Sequence, residues 1–268
     1  MLTSLKNPLV KQLKQLHRAK GRHEQQQLLL EGTHLVQEAL AADIEFVTLC
    51  HTEDWQTRYP QLWQQAIDRT QRCEVVSPDV LKAMATTVNP DGVVATADRR
   101  YRGATLPSIQ TLGLVLETLQ DPGNLGTLIR TAAAVGVEGV WMSGDSVDFD
   151  HPKVLRASAG QWFRLPMGST DDWVKQVQAW RSPPNRQVVA TVPTASQIYW
   201  DVDFTRPTLL LVGNEGAGLS QALIEQADIN VTIPQAVGVE SLNVAIAAAV
   251  VLYEVYRQRS QASDRPWM

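Results

Sequence analysis

Hydrophobic and polar positions divide the chain into two differently patterned parts. Up to Ala95, short helical and strand signals alternate. Leu9, Leu13 and Leu16 recur at helical spacing and predict a helix over about 7–21. The strand Gln27–Leu30, the helix Gly32–Ala42, the strand Glu45–Cys50 and the helix Tyr59–Arg69 follow, then short strands at Glu74–Val76 and Gly92–Ala95. Residues 97–107 read ADRRYRGATLP, polar with Gly and Pro, as an interdomain linker does. From Leu112 strands alternate with helices. The predicted strands are Leu112–Glu117, Gly139–Met142, Trp162–Leu165, Val188–Val192, Thr208–Val212 and Ile229–Ile233. The predicted helices are Leu125–Val135, Pro152–Ala159, Asp172–Trp180, Ser220–Gln226 and Leu242–Arg259. Such alternation predicts an α/β domain whose mostly parallel sheet is covered on both faces. The expected division is 1–98, a linker over 99–108, a second domain over 109–259 and a flexible polar tail over 260–268.

Composition adds bounds. A chain of 268 residues has room for two domains with their own cores, and 44% hydrophobic with 19% charged residues describes a globular protein. The longest apolar run, Val244 to Tyr253, falls well short of the roughly 20 residues a membrane span needs. No secretory leader opens the sequence, so the expected compartment is the cytoplasm. Cys50 and Cys73 lack metal-ligand spacing and read as buried thiols. No metal is expected: the five histidines form no ligand pair at helical spacing, and the Trp residues read as packing. The net charge of −4 gives no general basic field, but residues 1–23 carry Lys6, Lys11, Lys14, Arg18, Lys20 and Arg22 with no acid. That face is either simply solvated or a contact for nucleic-acid phosphates.

Candidate chemistry collects at three strand-to-helix corners, where free backbone N–H groups can meet a polar ligand. In DPGNLGTLIRTAAAVG (121–136) Pro122 and Gly123 read as a turn and Asn124 as the helix N-cap. Gly126 allows close approach, and Arg130 leans back toward the helix mouth. That mouth would suit a phosphate. GNEGAG (213–218) follows an apolar strand but fits neither the dinucleotide fingerprint nor a P-loop, and Glu215 at its tip suits a hydroxyl, an amine or an Arg. In IPQAVGVESLNVAIAAAVVLYE (233–254) Ser241 reads as the cap of the last helix. Asn243 inside the first turn is then poorly explained by helix stability.

Together, in order and spacing, the three segments resemble the motifs of the SpoU (TrmH) family of RNA 2'-O-ribose methyltransferases. HPKVLRASAGQWFRLP (151–166) is similar to the family's intermediate segment, and LLLEGTHLVQEAL with NPDGVVA to its L30e-like RNA-binding domain, with Asp91 where Gln is more usual. The resemblance implies a SPOUT fold with a deep trefoil knot, preceded by a smaller L30e-like α/β domain. It implies S-adenosylmethionine held by Gly213, Glu215, Gly216, Ile233 and Leu242, and a homodimer formed through the knotted domain. Family catalysis maps onto Asn124, Arg130, Glu215, Ser241 and Asn243. Candidate RNA contacts are Lys6, Lys11, Lys14, Arg18 and Arg156. A guanidinium does not deprotonate near neutral pH, so Arg130 is expected to hold phosphate and stabilise an alkoxide, without a metal. Ribosomal RNA is the favoured substrate over tRNA. An RNA-binding paralogue without turnover and a nucleotide-dependent oxidoreductase are the competing readings; the intact motif residues argue against the first and the failed fingerprint against the second.

Overall fold

A computed structural model describes residues 1–99 and 106–262. In chain order the helices are α1 (Pro8–Gln15), α2 (Ala19–Gln25), α3 (Thr33–Ala41), α4 (Glu53–Arg58), α5 (Pro60–Asp68), α6 (Pro78–Met84), α7 (Pro122–Ala134), α8 (Pro152–Ala157), α9 (Trp173–Arg181), α10 (Gln221–Ile224) and α11 (Val244–Ala262). The strands are β1 (Gln27–Glu31), β2 (Phe46–His51), β3 (Thr70–Val75), β4 (Val93–Asp98), β5 (Leu112–Leu116), β6 (Gly139–Met142), β7 (Met167–Ser169), β8 (Gln187–Thr191), β9 (Gln197–Ile198), β10 (Thr208–Val212) and β11 (Ile229–Thr232). The described residues fall into two compact units. One runs from Met1 through β4 and takes up Asp148–Arg164; the other holds the remainder, pausing after Val147 and resuming at Leu165. Most of the predicted linker, residues 100–105, and residues 263–268 of the predicted tail lie outside the described residues.

The N-terminal unit is a four-stranded sheet in the order β1-β4-β2-β3. The expected single basic helix is two. Arg18 is extended (φ −108°, ψ 144°), and α2 doubles back so tightly that a Cβ on Gly21 would sit 2.1 Å from the Gln15 carbonyl oxygen. The apolar face of α1 is as predicted: Leu9, Val10, Leu13 and Leu16 are buried against Val80, Leu81 and Met84. Burying each such side chain contributes roughly 1.5–3 kcal/mol. Arg22 is 1% exposed; its Nη1 donates to the Leu16 carbonyl (3.2 Å), Nη2 to Asp148 (2.9 Å) and Nε to Asp150 (3.3 Å). Arg99 also pairs with Asp150.

Two further predictions fail here. Trp162–Leu165 is not a strand: Gln161–Phe163 form a 3-10 turn after Ala159 and Gly160, both at positive φ, and Trp162 is buried with Nε1 donating to the Phe149 carbonyl. The strand comes later, as β7. Cys73 is exposed because it lies on the edge strand β3, most of which stays uncovered, whereas Cys50 is buried as expected.

The C-terminal unit is a seven-stranded, wholly parallel sheet in the order β7-β6-β5-β10-β8-β11-β9. Its middle strands β5 and β10 are buried at every position, as continuous apolar runs covered on both faces require. Trp141, Trp180, Leu209 and Leu211 pack in one cluster on the sheet. α11 is anchored at its far end by Arg259, which donates to the carbonyls of Phe204 (2.9 Å), Arg206 (2.8 Å) and Thr111 (3.0 Å). Among the described residues no helix is long and apolar enough to cross a membrane.

Candidate active site

In a parallel sheet the C-terminal strand ends share one edge, and ligands bind where loops diverge there. The loops after β8, β10 and β11 meet at such a place. A cleft of about 160 Å³ is lined by Thr191–Pro193 after β8, by Val212, Gly213, Asn214, Glu215, Gly216 and Gly218 after β10, and by Val231–Ile233 and Gln235 after β11. Ser241, Leu242, Val244 and Ala247 close it at the start of α11. All five expected cofactor residues, Gly213, Glu215, Gly216, Ile233 and Leu242, are on its wall, and so is Ser241.

Gly213 is buried where the chain closes on itself. Asn214 and Gly218 exchange backbone hydrogen bonds (2.9 and 3.0 Å), and a Cβ on Gly213 would lie 2.2 Å from the Gly218 carbonyl carbon. Between Gln235 and Leu242 the single backbone–backbone hydrogen bond joins Val239 N to Ala236 O (3.1 Å). The cleft therefore combines apolar walls with backbone donors and acceptors not engaged in secondary structure. An adenine ring offers that pairing in reverse, with apolar faces and a polar edge, so these residues fit an adenosyl ligand. The cleft volume lies below the ~300–1,000 Å³ of small-molecule sites, and the cleft is open on one side.

Three of the five catalytic candidates, Asn243, Asn124 and Glu215, are joined by a directional relay. Asn243 Nδ2 donates to Asn124 Oδ1 (3.0 Å), and Asn124 Nδ2 donates to Glu215 Oε1 (3.1 Å). Glu215 can only accept, which fixes the orientation of the Asn124 amide and, through it, of Asn243. Glu215 also accepts from the backbone N–H of Asp121 (3.1 Å) and Gln120 (3.2 Å). Partial burial pushes its carboxyl up. The bonds from Asp121 N, Asn124 Nδ2 and Gln120 N outweigh that and hold it below the ordinary carboxylate range.

Three sequence expectations are corrected here. Asn124 is not the cap of α7; Asp121 is, its Oδ1 accepting from Asn124 N (2.9 Å), and Pro122 and Gly123 belong to the helix. Ser241 does not cap α11. Asn243 does, its Oδ1 accepting from Ala245 N (2.9 Å) and Ile246 N (3.3 Å), which accounts for Asn at a position where helix propensity alone disfavours it. The mouth of α7 is not open to a phosphate, because Glu215 and Asp121 already hold its amides. Glu215 meets backbone and amide N–H groups, not an Arg.

The Arg130 side chain is exposed on α7 and makes no hydrogen bond or ion pair among the described residues; it is not on the cleft wall. Lys6, Lys11, Lys14 and Arg18 are exposed in the N-terminal unit. Arg156, by contrast, is engaged by its own unit: Nη1 lies 2.8 Å from the buried Glu31 and donates to Thr86 Oγ1 (2.8 Å). Asp91 caps α3, accepting from Thr33 N (2.9 Å). Clefts of about 300 and 390 Å³ flank the 89–91 loop of that unit, with acids and bases mixed on their walls. Among the described residues no group of three or more His, Cys, Asp or Glu could hold a metal ion. Sequence reasoning missed the Thr191–Pro193 wall, whose only signal was a Pro after an apolar strand, and Asn214, hidden inside a glycine-rich turn.

Residues 111–253 match the family model for the SpoU rRNA methylase family, and residues 7–95 match the model for an MRM3-like substrate-binding domain. An uncharacterized tRNA/rRNA methyltransferase of Synechocystis is 50% identical over 262 residues, covering 98% of this chain and 95% of that protein. The 23S rRNA guanosine 2'-O-methyltransferase RlmP of Bacillus subtilis is 34% identical over 257 residues, covering 95% and 98%. The crystal structure of the SpoU methyltransferase AviRb from Streptomyces viridochromogenes in complex with AdoMet superposes with a TM-score of 0.84 at 30% identity, covering 95% and 98%.

Proposed function

The chain belongs to the SpoU rRNA methylase family, and from that premise we propose that it methylates a ribose 2'-hydroxyl of ribosomal RNA with S-adenosylmethionine as donor. The observation that carries this is the single cleft shared by the 213–218 turn and the 233–242 stretch, with the Asn243–Asn124–Glu215 relay beside it. The backbone of Gly213 and Gly216, with Ile233 and Leu242, would hold the adenosyl part. Glu215 orients the segment that begins α7.

When bound, the cofactor supplies a methyl carbon on a sulfonium: the carbon–sulfur bond breaks with its electron pair left on sulfur, and the carbon–oxygen bond forms. Arg130, free of carboxylate partners among the described residues, is assigned to the RNA phosphate and to the oxygen that gives up its proton. Asn124 and Asn243 set the helix that carries it, and the hydroxyl proton leaves to solvent. Ser241 lines the cleft beside them.

The exposed Lys6, Lys11, Lys14 and Arg18 are assigned to RNA phosphates, and Arg156 to shaping the domain that binds RNA. We assign a homodimer through the C-terminal unit, because α11 exposes Ile246 (51%) and Tyr253 (53%), seven residues apart on one face. We assign the family's trefoil knot to the same C-terminal part, and a ribosomal RNA substrate supports a cytoplasmic enzyme.

Purified protein incubated with methyl-labelled donor and unmodified 23S rRNA, 16S rRNA or bulk tRNA tests the reading. Label should enter rRNA at a ribose 2'-oxygen. Label in tRNA alone, or in none, overturns it.

A further inference from the structure

We propose that Asn214 is a positioning residue for methyl transfer, the joint through which the cofactor turn holds the segment leading to Arg130. This rests on the reading of the site given above. Asn214 follows β10 directly and its two side-chain atoms face two different loops. Its Oδ1 accepts from Gly216 N (2.9 Å) and Ala217 N (2.8 Å), so the turn lining the cleft is wound around one oxygen. Its Nδ2 donates chiefly to the carbonyl of Thr118 (2.7 Å), across to the loop between β5 and α7, with a longer contact to Glu215 Oε2 (3.5 Å).

Thr118 is a β-branched residue held at φ +54°, a conformation that costs on the order of 1–3 kcal/mol unless its surroundings impose it. Three contacts impose it here. Ser143 Oγ accepts from Thr118 N (2.7 Å), the Asp145 carboxylate accepts from Thr118 Oγ1 (3.1 Å), and Asn214 takes the carbonyl. The left-handed residue reverses the chain just before Gln120 and Asp121, whose N–H groups then meet Glu215. From Asp121 onward the chain is α7, which carries Asn124 and Arg130. The acceptor side of Asn214 thus shapes the cofactor wall, and its donor side sets the start of the helix bearing the catalytic guanidinium.

Asn214→Asp keeps the acceptor toward the turn and loses the donor, and it also brings a second carboxylate against Glu215, 3.5 Å away, which adds to the loosening on the α7 side. The variant is expected to bind S-adenosylhomocysteine within about twofold of wild type while kcat falls about a hundredfold, the scale of a misplaced catalytic group. Asn214→Ala, which loses both, should weaken S-adenosylhomocysteine about tenfold and lower kcat as well. Should the Asp variant not fold, the Ala variant decides through kcat at saturating donor: a kcat restored by saturation refutes the joint. Equal losses of kcat and S-adenosylhomocysteine affinity in Asn214→Asp would reduce Asn214 to a merely structural residue. A wild-type protein that transfers no methyl sinks the reading of the site, and this inference with it. An active wild type with an equally active Asn214→Asp sinks this inference alone.

Discussion

The relay ending on Asn243 can be cut without unfolding the helix it begins. Asn243 does two things: its Oδ1 caps α11 and its Nδ2 donates to Asn124. In Asn243→Asp the capping oxygen stays, and a negative charge at a helix N-terminus is favourable by roughly 0.3–1 kcal/mol. Toward Asn124, however, an acceptor now faces an acceptor across 3.0 Å. Asn124 cannot relieve this by turning its amide, because its oxygen would then face the Glu215 carboxylate that now accepts from it at 3.1 Å. Stability should stay within about 0.5 kcal/mol of wild type, while turnover falls by about tenfold or more. Asn243→Ala loses the cap too, about 1 kcal/mol, which for a chain of this size is roughly 2–4 °C in melting temperature. Thermal unfolding and methyl incorporation measured on both variants separate the effects. Wild-type turnover in Asn243→Asp, or an unchanged melting temperature in Asn243→Ala, would refute the relay or the cap respectively.

Because Arg130 is exposed and unpaired among the described residues, Arg130→Ala should leave the melting temperature unchanged and lower kcat by about 10²–10³-fold, as removing a transition-state donor does; an equal loss of stability would count against a catalytic role. Replacing Lys11 and Lys14 with Gln should weaken RNA binding and lower the salt slope of log K by about one for every phosphate left without its lysine, with cofactor affinity unchanged, in filter-binding titrations. His51 is buried, its Nδ1 donating to the Thr52 carbonyl (3.1 Å) and its Nε2 accepting from Trp63 (3.1 Å). Burial holds its pKa below the ordinary value of 6.5, so the unfolded chain takes up the proton first. The stability tied to neutral His51 is complete above 6.5 and declines as pH falls through that value toward the folded pKa. Urea midpoints at pH 7.5 and 5.5 should differ for wild type, and by less for His51→Gln.

The parallel unit was legible from its sequence because its central strands are continuous apolar runs, as Leu112–Leu116 and Thr208–Val212 show. The cleft was legible for a similar reason: glycine and irregular backbone after such strands have few structural uses. The caps were misread by two or three residues, since Asp121 and Asn124, or Ser241 and Asn243, are equally good candidates on composition, and hydrogen-bond geometry decides between them. The helices α4 and α6 went unseen because each is short, although Thr52 and Ser77 cap them and Pro78 opens the second. Trp162 and Phe163 carried a strand-like signature that came from burial in a tight turn. Long-range pairings such as Asn214 with Thr118 leave no periodic trace at all.

The N-terminal unit is not a contiguous cassette. A polypeptide cut after β4 would retain Arg22, 1% exposed, and lose both Asp148 and Asp150, the carboxylates that neutralise it. An orphaned interior charge of this kind costs about 3–5 kcal/mol, a large share of the stability of a domain that size. Such a fragment would fold poorly by itself. A swap of RNA specificity between paralogues would therefore have to transplant Asp148–Arg164 along with the leading segment, two exchanges in place of one.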